Sequence, residues 1–471
     1  MTPTKSRGRQ DAARWGPQIG LVARAALSVA CCFALTGLPG SAQAGILNDL
    51  VHPEGAPDLW DNFNVSGYIN GHYMNHDGVP RLRTNKAKLD NLDGGFAQLR
   101  ELSLFLDLSV IDTGTLSAEI EFADDFGNVD ANYLYADIAV GELLPFWDED
   151  EYGQLIFRGG KFLVPFLAYN ENKPNFKQYL MSQPFTAWNI VPVIGTPIRP
   201  KSFGWSDIGF MVNWSGPVGG MGLLDFKISM ITGIEGGTDV LDGNSVVINH
   251  CVMNCGTTPV YPTVRPRDGL IQNEGGSWSG THNDKFATAG KLSFRSMRWP
   301  IDVGFSFYYG KWDQNGKQDL GMWGFHANWI SRNWTVRGEF VQAHVEQTAG
   351  VNIIMVPGPG MINTSTGNYR MRSWFVEGSV IPYRFGAKKD RFVRLILRYD
   401  DVDTNDKALF TPFRRSRITA GSELEFFTNA RVRFEYQRHK IHNFGRAPGP
   451  YKLAGGLHEI EMLMGSLIYS F

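Results

Sequence analysis

The chain has 471 residues, 43% hydrophobic and 13% aromatic, with 53 glycines. Its 45 Lys and Arg against 47 Asp and Glu give a formal net charge of −2, which makes no case for nucleic-acid binding. Past the leader described next there is no uninterrupted apolar window of 18 residues, which excludes a helical membrane span, and no Ser/Pro/Gly linker divides the chain into separate units.

Residues 1–44 read as an export leader. Lys5, Arg7, Arg9, Arg14 and Arg24 form a basic region, Ala25 to Leu38 an apolar stretch, and Ala42-Gln43-Ala44 a small-residue cleavage site before Gly45. Removing the leader takes away those five bases and one acid, Asp11, so the mature chain is more acidic. Residues 45–61 are expected to be a short periplasmic segment ahead of the fold proper, residues 62–471.

From Phe63 onward the dominant signal is a period of two, the period of a strand with unlike faces. In FNVSGYINGHY (63–73), Phe63, Val65, Gly67, Ile69, Gly71 and Tyr73 share one face, and Asn64, Ser66, Asn70 and His72 the other. ELSLFLDLSV (101–110) sets Leu102, Leu104, Leu106, Leu108 and Val110 against Ser103, Asp107 and Ser109. LSAEIEF, DIGFMVNW, LDFKISM, IDVGFSFYY, WTVRGEF, VRLILRY, RITAGSELEF and ARVRFEY continue the pattern. Sixteen strands are expected, near 62–74, 95–110, 114–123, 131–141, 154–163, 205–215, 223–233, 285–296, 300–312, 320–331, 334–346, 369–382, 391–401, 413–427, 430–441 and 456–471. Their connections alternate in length: tight turns at 112–114, 298–300, 331–333 and 428–429, and longer segments at 75–94, 164–204, 234–284 and 347–368. Short turns at one end and long loops at the other are the pattern of an outer-membrane barrel. GSLIYSF at the C-terminus, with Leu467, Tyr469 and Phe471 on one face, resembles an outer-membrane assembly signal.

These observations predict an all-β fold, a sixteen-stranded antiparallel transmembrane β-barrel with long extracellular loops and a constriction loop. In hydrocarbon every backbone N–H and C=O needs an internal partner, which a closed sheet supplies. Sixteen strands leave room for an aqueous channel. Phe105 and Ile396 fall on the inward face and point to local narrowing. Trp214, Tyr309, Trp323, Trp329, Trp334 and Tyr399 fall mostly outward, as an interface girdle does. His72, His326 and His439 fall inward as wall residues. Of the four cysteines, Cys251 and Cys255 remain after the leader; export makes a disulfide between them, stapling a short loop, a reasonable reading. A metal site using them with His250 and His282 has poor spacing, and no cofactor is expected.

LIFRGGKFLVPF at 155–166 resembles the phosphate-selective porin O/P family, through Gly160, Lys161, Phe162, Pro165 and Phe166. FAQLRELSLFL, IEFAD, DIGFMV, RGEF and RYDDVD are similar to family segments in the same order, whereas ANYLYADI reorders the residues found there. The resemblance implies a trimeric porin whose pore is narrowed by its third extracellular loop.

On this reading the chain passes small hydrophilic solutes, and charge in a narrow lumen sets which ions enter. The constriction loop offers Lys173, Lys177, Arg199 and Lys201 against Glu171. The late strands offer inward Lys227, Lys291, Arg295, Arg337, Arg394, Arg398, Arg415, Arg417, Arg431 and Arg433, diluted by Glu339, Glu423, Glu425 and Glu435. Asp107, Glu119, Glu121 and Asp137 face inward on the early strands. The expectation is an anion-preferring pore for phosphate or similar oxyanions, with guanidinium forks as the recognition chemistry. The competing reading of these arginines is that they pair with lumen carboxylates and stiffen the wall. The expected partners are small anionic solutes, outer-membrane lipid and two further copies of the chain. A barrel enzyme is the alternative class, but there is no G-x-S-x-G, and GGSWSG at 275–280 has the wrong spacing. A structural barrel would need a filled lumen, and residues 45–60 are too short to be a plug.

Overall fold

The computed structural model describes residues 63–77, 96–111, 113–123, 128–171, 178–187, 195–196, 199–200, 205–234, 285–311, 317–346, 353–356, 360–363, 368–386, 390–403, 406, 414–427, 429–441 and 459–471. The expected leader, the segment 45–61 and the Cys251–Cys255 pair lie outside these residues.

Sixteen antiparallel strands form one closed barrel in which each strand pairs with its neighbours in sequence. They are β1 (Phe63–Asp77), β2 (Phe96–Ile111), β3 (Gly114–Ala123), β4 (Asn128–Ala139), β5 (Gln154–Leu163), β6 (Ser206–Val218), β7 (Gly222–Ile231) and β8 (Ala287–Ser296). The second half comprises β9 (Ile301–Lys311), β10 (Asp319–Ile330), β11 (Trp334–Val345), β12 (Tyr369–Phe385), β13 (Arg391–Asp403), β14 (Arg414–Phe427), β15 (Ala430–Ile441) and β16 (Glu459–Ser470). All sixteen expected strands are present, with ends shifted by a few residues.

The pleat explains the alternation. Leu134, Phe210, Met230, Phe325, Leu397, Phe434 and Leu463 all point outward and are exposed, Leu397 to 60%. Their intervening neighbours on the same strands point into the barrel. An apolar band running round a whole protein is incompatible with water at that surface and suits hydrocarbon. Two aromatic zones bound it. Near the long-loop end lie Tyr309, Trp323, Trp374 and Tyr399, with Trp374 and Tyr399 5.2 Å apart. Near the short-turn end Trp329 stacks on Trp334 at 5.4 Å and 10° and sits 6.4 Å from Trp299. These are the outward aromatics expected of a girdle.

Loop parity holds with two exceptions. The connection 124–127 is short although it lies at the long-loop end. At the opposite end, residues 140–153 form two single helical turns, α1 (Val140–Leu143) and α2 (Glu149–Tyr152), which the strand periodicity did not suggest. Asp148 caps α2 by accepting a hydrogen bond from the Asp150 N–H at 3.0 Å.

The barrel closes where β1 meets β16. Beside the paired run from Tyr68↔Ser470 to Asp77↔Glu461, Gly67 and Phe471 exchange two backbone bonds of 3.1 and 3.0 Å. A Cβ on Gly67 would lie 2.4 Å from the Ser103 carbonyl oxygen and 2.8 Å from the Phe471 ring, so only glycine fits this seam. A Cβ on Gly71 would meet nothing within 4 Å. Gly67→Val is therefore expected to lower sharply the yield of heat-modifiable, compact barrel on cold SDS gels, while Gly71→Val folds nearly as the parent does. Equal yields from both variants would refute the seam argument.

Candidate functional site: a loop anchored inside the barrel

The connection between β5 and β6 turns into the lumen. It carries a helical turn, α3 (Leu167–Glu171), and its described part resumes over 178–187. Leu167 takes a left-handed φ of 61°. Its N–H donates to Ser306 Oγ at 3.0 Å, and its side chain packs over Gly324, where a Cβ would come within 2.8 Å of it. Leu180 is seated in the same way over Gly421, at 2.4 Å from the position a Cβ would take. Phe166, Leu167, Phe185 and Trp205 of the loop join inward Tyr308, Leu320, Met322, Val341, Ala343, Val345 and Met371 in one buried apolar cluster. The inner wall of β9–β12 is therefore apolar where the loop lies on it.

The loop backbone is held by wall side chains. Tyr169 N–H donates to Glu339 Oε1 at 2.6 Å, and Phe185 N–H to Asp400 Oδ1 at 3.1 Å. Glu435 accepts from the N–H groups of Met181 and Ser182 at 2.7 and 3.1 Å and from the Ser182 hydroxyl. In the other direction Arg398 donates to Ser182 O at 2.9 Å, Ser182 Oγ at 2.6 Å and Gln183 O at 3.3 Å, and Arg417 donates to Gln183 O. Arg417 also lies 4.5 Å over the Phe185 ring, and Tyr179 takes Arg394 at 3.8 Å and Arg337 at 4.4 Å.

The expected basic arc is consequently neutralised. Arg337 pairs with Glu377 at 2.6 Å, Arg394 with Glu423 at 3.2 Å, Arg431 with Glu425 at 2.8 Å and Arg433 with Glu423 at 2.8 Å. Arg398 and Arg417 share Asp400, each at 3.0 Å. All of these point inward as the register required, but Arg398, Arg417 and Arg433 are fully buried and do not line open lumen. Arg415 holds its strand position opposite Val402 and Ile441, and Arg199 sits in a two-residue strand paired with Thr196; the side chains of both lie outside the described residues. Lys173, Lys177 and Lys201 lie wholly outside them.

Lys227, Lys291 and Arg295 behave differently. Together with Tyr133, Tyr135, Arg158, Glu171, Asp225 and Asp302 they line a vestibule of about 500 Å³ between α3 and the short-turn half of β4–β9. Glu171 bridges Lys227 at 2.6 Å and Lys291, fastening α3 to β7 and β8. Burial alone would raise the Glu171 carboxyl, but the two ammonium groups outweigh it and hold it well below the ordinary carboxylate range. Arg158 forms a two-point pair with Asp137, both bonds 2.7 Å, and stacks 3.7 Å over Tyr135. Asp225 is 3.5 Å from Lys227, and Asp302 is 3.6 Å from His326 and accepts from Asn328 at 3.3 Å. Arg295 is exposed to the vestibule and, although across from Asp302 in register, has no ion-pair partner among the described residues. The sequence reading passed over Arg158, Glu377, Tyr179 and Asp400. Arg158 was recoverable, since LIFRGGKF places it on the face opposite Leu155 and Phe157.

What the fold and its inserted loop define is a channel-type barrel. The chain matches the solved anion-selective porin from Comamonas acidovorans at 11% identity and a TM-score of 0.50, covering 87% of this chain and 99% of that one. It also matches the outer membrane channel DcaP of Acinetobacter baumannii, at 12% identity and 0.47, over 87% and 97% of the two chains. The OmpF structure from Salmonella typhi matches at 10% and 0.46, over 87% and 97%. At these identities the likeness is one of fold. No family model matches the chain, and neither does any curated protein.

Two outcomes are expected. Glu435→Ala removes three loop anchors, and hydrogen bonds to a charged acceptor contribute roughly 1.5–3 kcal/mol each. The loop should spend measurable time undocked, seen as larger and noisier single-channel conductance; unchanged conductance would show that the loop does not depend on this carboxylate. For Glu171 the folded value lies below the ordinary 4.5, so its stabilisation is complete above about pH 4.5 and is lost as pH falls toward the folded value. Conductance should be constant from about pH 7 to about pH 5, whereas Glu171→Gln should loosen α3 even at neutral pH. A parent protein that loosens between those two pH values would contradict this.

Proposed function

We propose that the chain is a bacterial outer-membrane porin, exported with loss of residues 1–44, that allows passive diffusion of small hydrophilic solutes and favours anions weakly. The observation that carries this reading is the inserted loop: it narrows a closed, apolar-jacketed barrel yet leaves a vestibule of about 500 Å³ with charged walls. A purely structural barrel would leave that vestibule without a use. The preference for anions rests on a local asymmetry. Each carboxylate lining the vestibule has a cationic or hydrogen-bonding partner, whereas Arg295 has no ion pair among the described residues. An unpaired guanidinium in a narrow passage raises the local concentration of anions. Phosphate and similar oxyanions fit that chemistry, in keeping with the resemblance to the phosphate-selective porin O/P family. Assembly as a homotrimer belongs to the same reading.

The test is reversal potential in planar bilayers under a potassium chloride gradient. The parent should reverse on the chloride side of zero, and Arg295→Glu should shift the permeability ratio severalfold toward potassium. Arg433→Gln, behind the loop, should alter selectivity little. Cation preference in the parent would reject the anion reading, and absence of any conductance would reject the channel.

A further inference from the structure

The outer face carries a feature that permeation does not use. On β12–β15, just beyond the upper aromatic zone, the outward side chains change from apolar to basic. Arg370 and Arg372 follow outward from Trp374 on β12. Arg414 lies at the start of β14, and Arg438 and Lys440 follow from Tyr436 on β15. All five are exposed. Register brings them together: Arg372 and Arg414 both flank Asp403, while Lys440 and Asp401 both flank Ser416. With strands spaced about 4.8 Å apart, the group covers a strip two to three strand widths across.

Acids are interspersed. Arg414 lies 3.5 Å from Asp401, and Arg438 is 3.9 Å from Glu461 in a half-exposed pair. Among the described side chains Arg370, Arg372 and Lys440 have no ion pair, although the register sets Arg372 across from Asp403 and Lys440 across from Glu459; the Arg370 backbone is engaged by Asp406. Exposed guanidinium groups immediately outside an aromatic belt sit at the depth of lipid headgroups, where their natural counter-charge is phosphate. At the short-turn end the basic groups are differently occupied: Arg384 is bonded to the Arg332 carbonyl at 2.6 Å, and Arg298 lies over Trp299.

We propose that this crown is a docking site for a phosphorylated lipid headgroup of the outer leaflet, with Arg370, Arg372 and Lys440 as its phosphate contacts. The proposal rests on the outer-membrane reading above. These exposed cations bind phosphate oxygens.

Detergent-solubilised protein is mixed with bisphosphoryl, monophosphoryl and fully dephosphorylated lipid A, and retention is read by native mass spectrometry. Bisphosphoryl lipid should be retained best and the dephosphorylated form least. The triple variant Arg370→Ser, Arg372→Ser, Lys440→Ser should weaken retention roughly a hundredfold, as expected for three surface charges, while its single-channel conductance stays that of the parent. The control pair Arg298→Ser, Arg332→Ser should retain lipid normally. Three results overturn the proposal: a parent protein indifferent to phosphorylation, a triple variant that binds as well as the parent, or disulfide cross-linking of two copies through Arg372→Cys, which would mean that a second chain covers the crown. A parent that retains bisphosphoryl lipid but does not conduct would instead refute the channel reading and leave the site standing.

Discussion

Everything in this molecule follows from the need to give each backbone amide a partner where water cannot supply one. For the strands the solution is closure, with every ladder bond spent on a neighbour and the last made between Gly67 and Phe471. The same constraint governs the loop that enters the lumen. A buried loop carries polar groups that no sheet satisfies. Here the wall supplies the partners: Glu339, Asp400 and Glu435 accept from loop N–H groups, and Arg398 and Arg417 donate to loop carbonyls.

That division of labour explains the charge pattern of β11–β15. A carboxylate buried to receive an amide must be neutralised, and a buried guanidinium must have its donors filled. Asp400 does both, bonding a loop amide while bridging two arginines, and Ser182 passes a bond from Arg398 to Glu435. Such a network is costly to disrupt at one member, because the remaining charge is left unpaired at roughly 3–5 kcal/mol. The arginines of the late strands thus fix the position of the constriction and, being neutralised, contribute little long-range field.

Much of the barrel was legible because lipid imposes a one-sided demand on every strand. Leu102, Leu104, Leu106 and Leu108 had to be apolar, so the register could be read from them, and with it the inward setting of Phe105 and Ile396. Phe105 stacks on Tyr68 at 6.0 Å and Ile396 is buried. Legibility failed where a side chain answers to something other than lipid. Leu320, Met322, Val341, Ala343 and Val345 are apolar on the inner face because the loop packs there, and periodicity within their own strands cannot reveal a partner more than a hundred residues away. The helical turns at 140–152 escaped because a connection outside the bilayer has no period to obey. For the arginines the sequence settled direction but not contact, and contact decides whether a charge lines a pore or braces a wall.

The vestibule is where charge is left to act on solutes. Two ammonium groups share one carboxylate at Glu171, Arg158 is matched by Asp137, and Arg295, across from Asp302 in register, makes no ion pair among the described residues. The field from one unmatched guanidinium is screened over about 8 Å at physiological ionic strength. It therefore acts only on charges that come close to it, within the vestibule that α3 helps to line. On the proposed function, selectivity of this kind would be shallow, dependent on salt and set by geometry as much as by charge. Moving the loop would abolish it without altering a single charged residue.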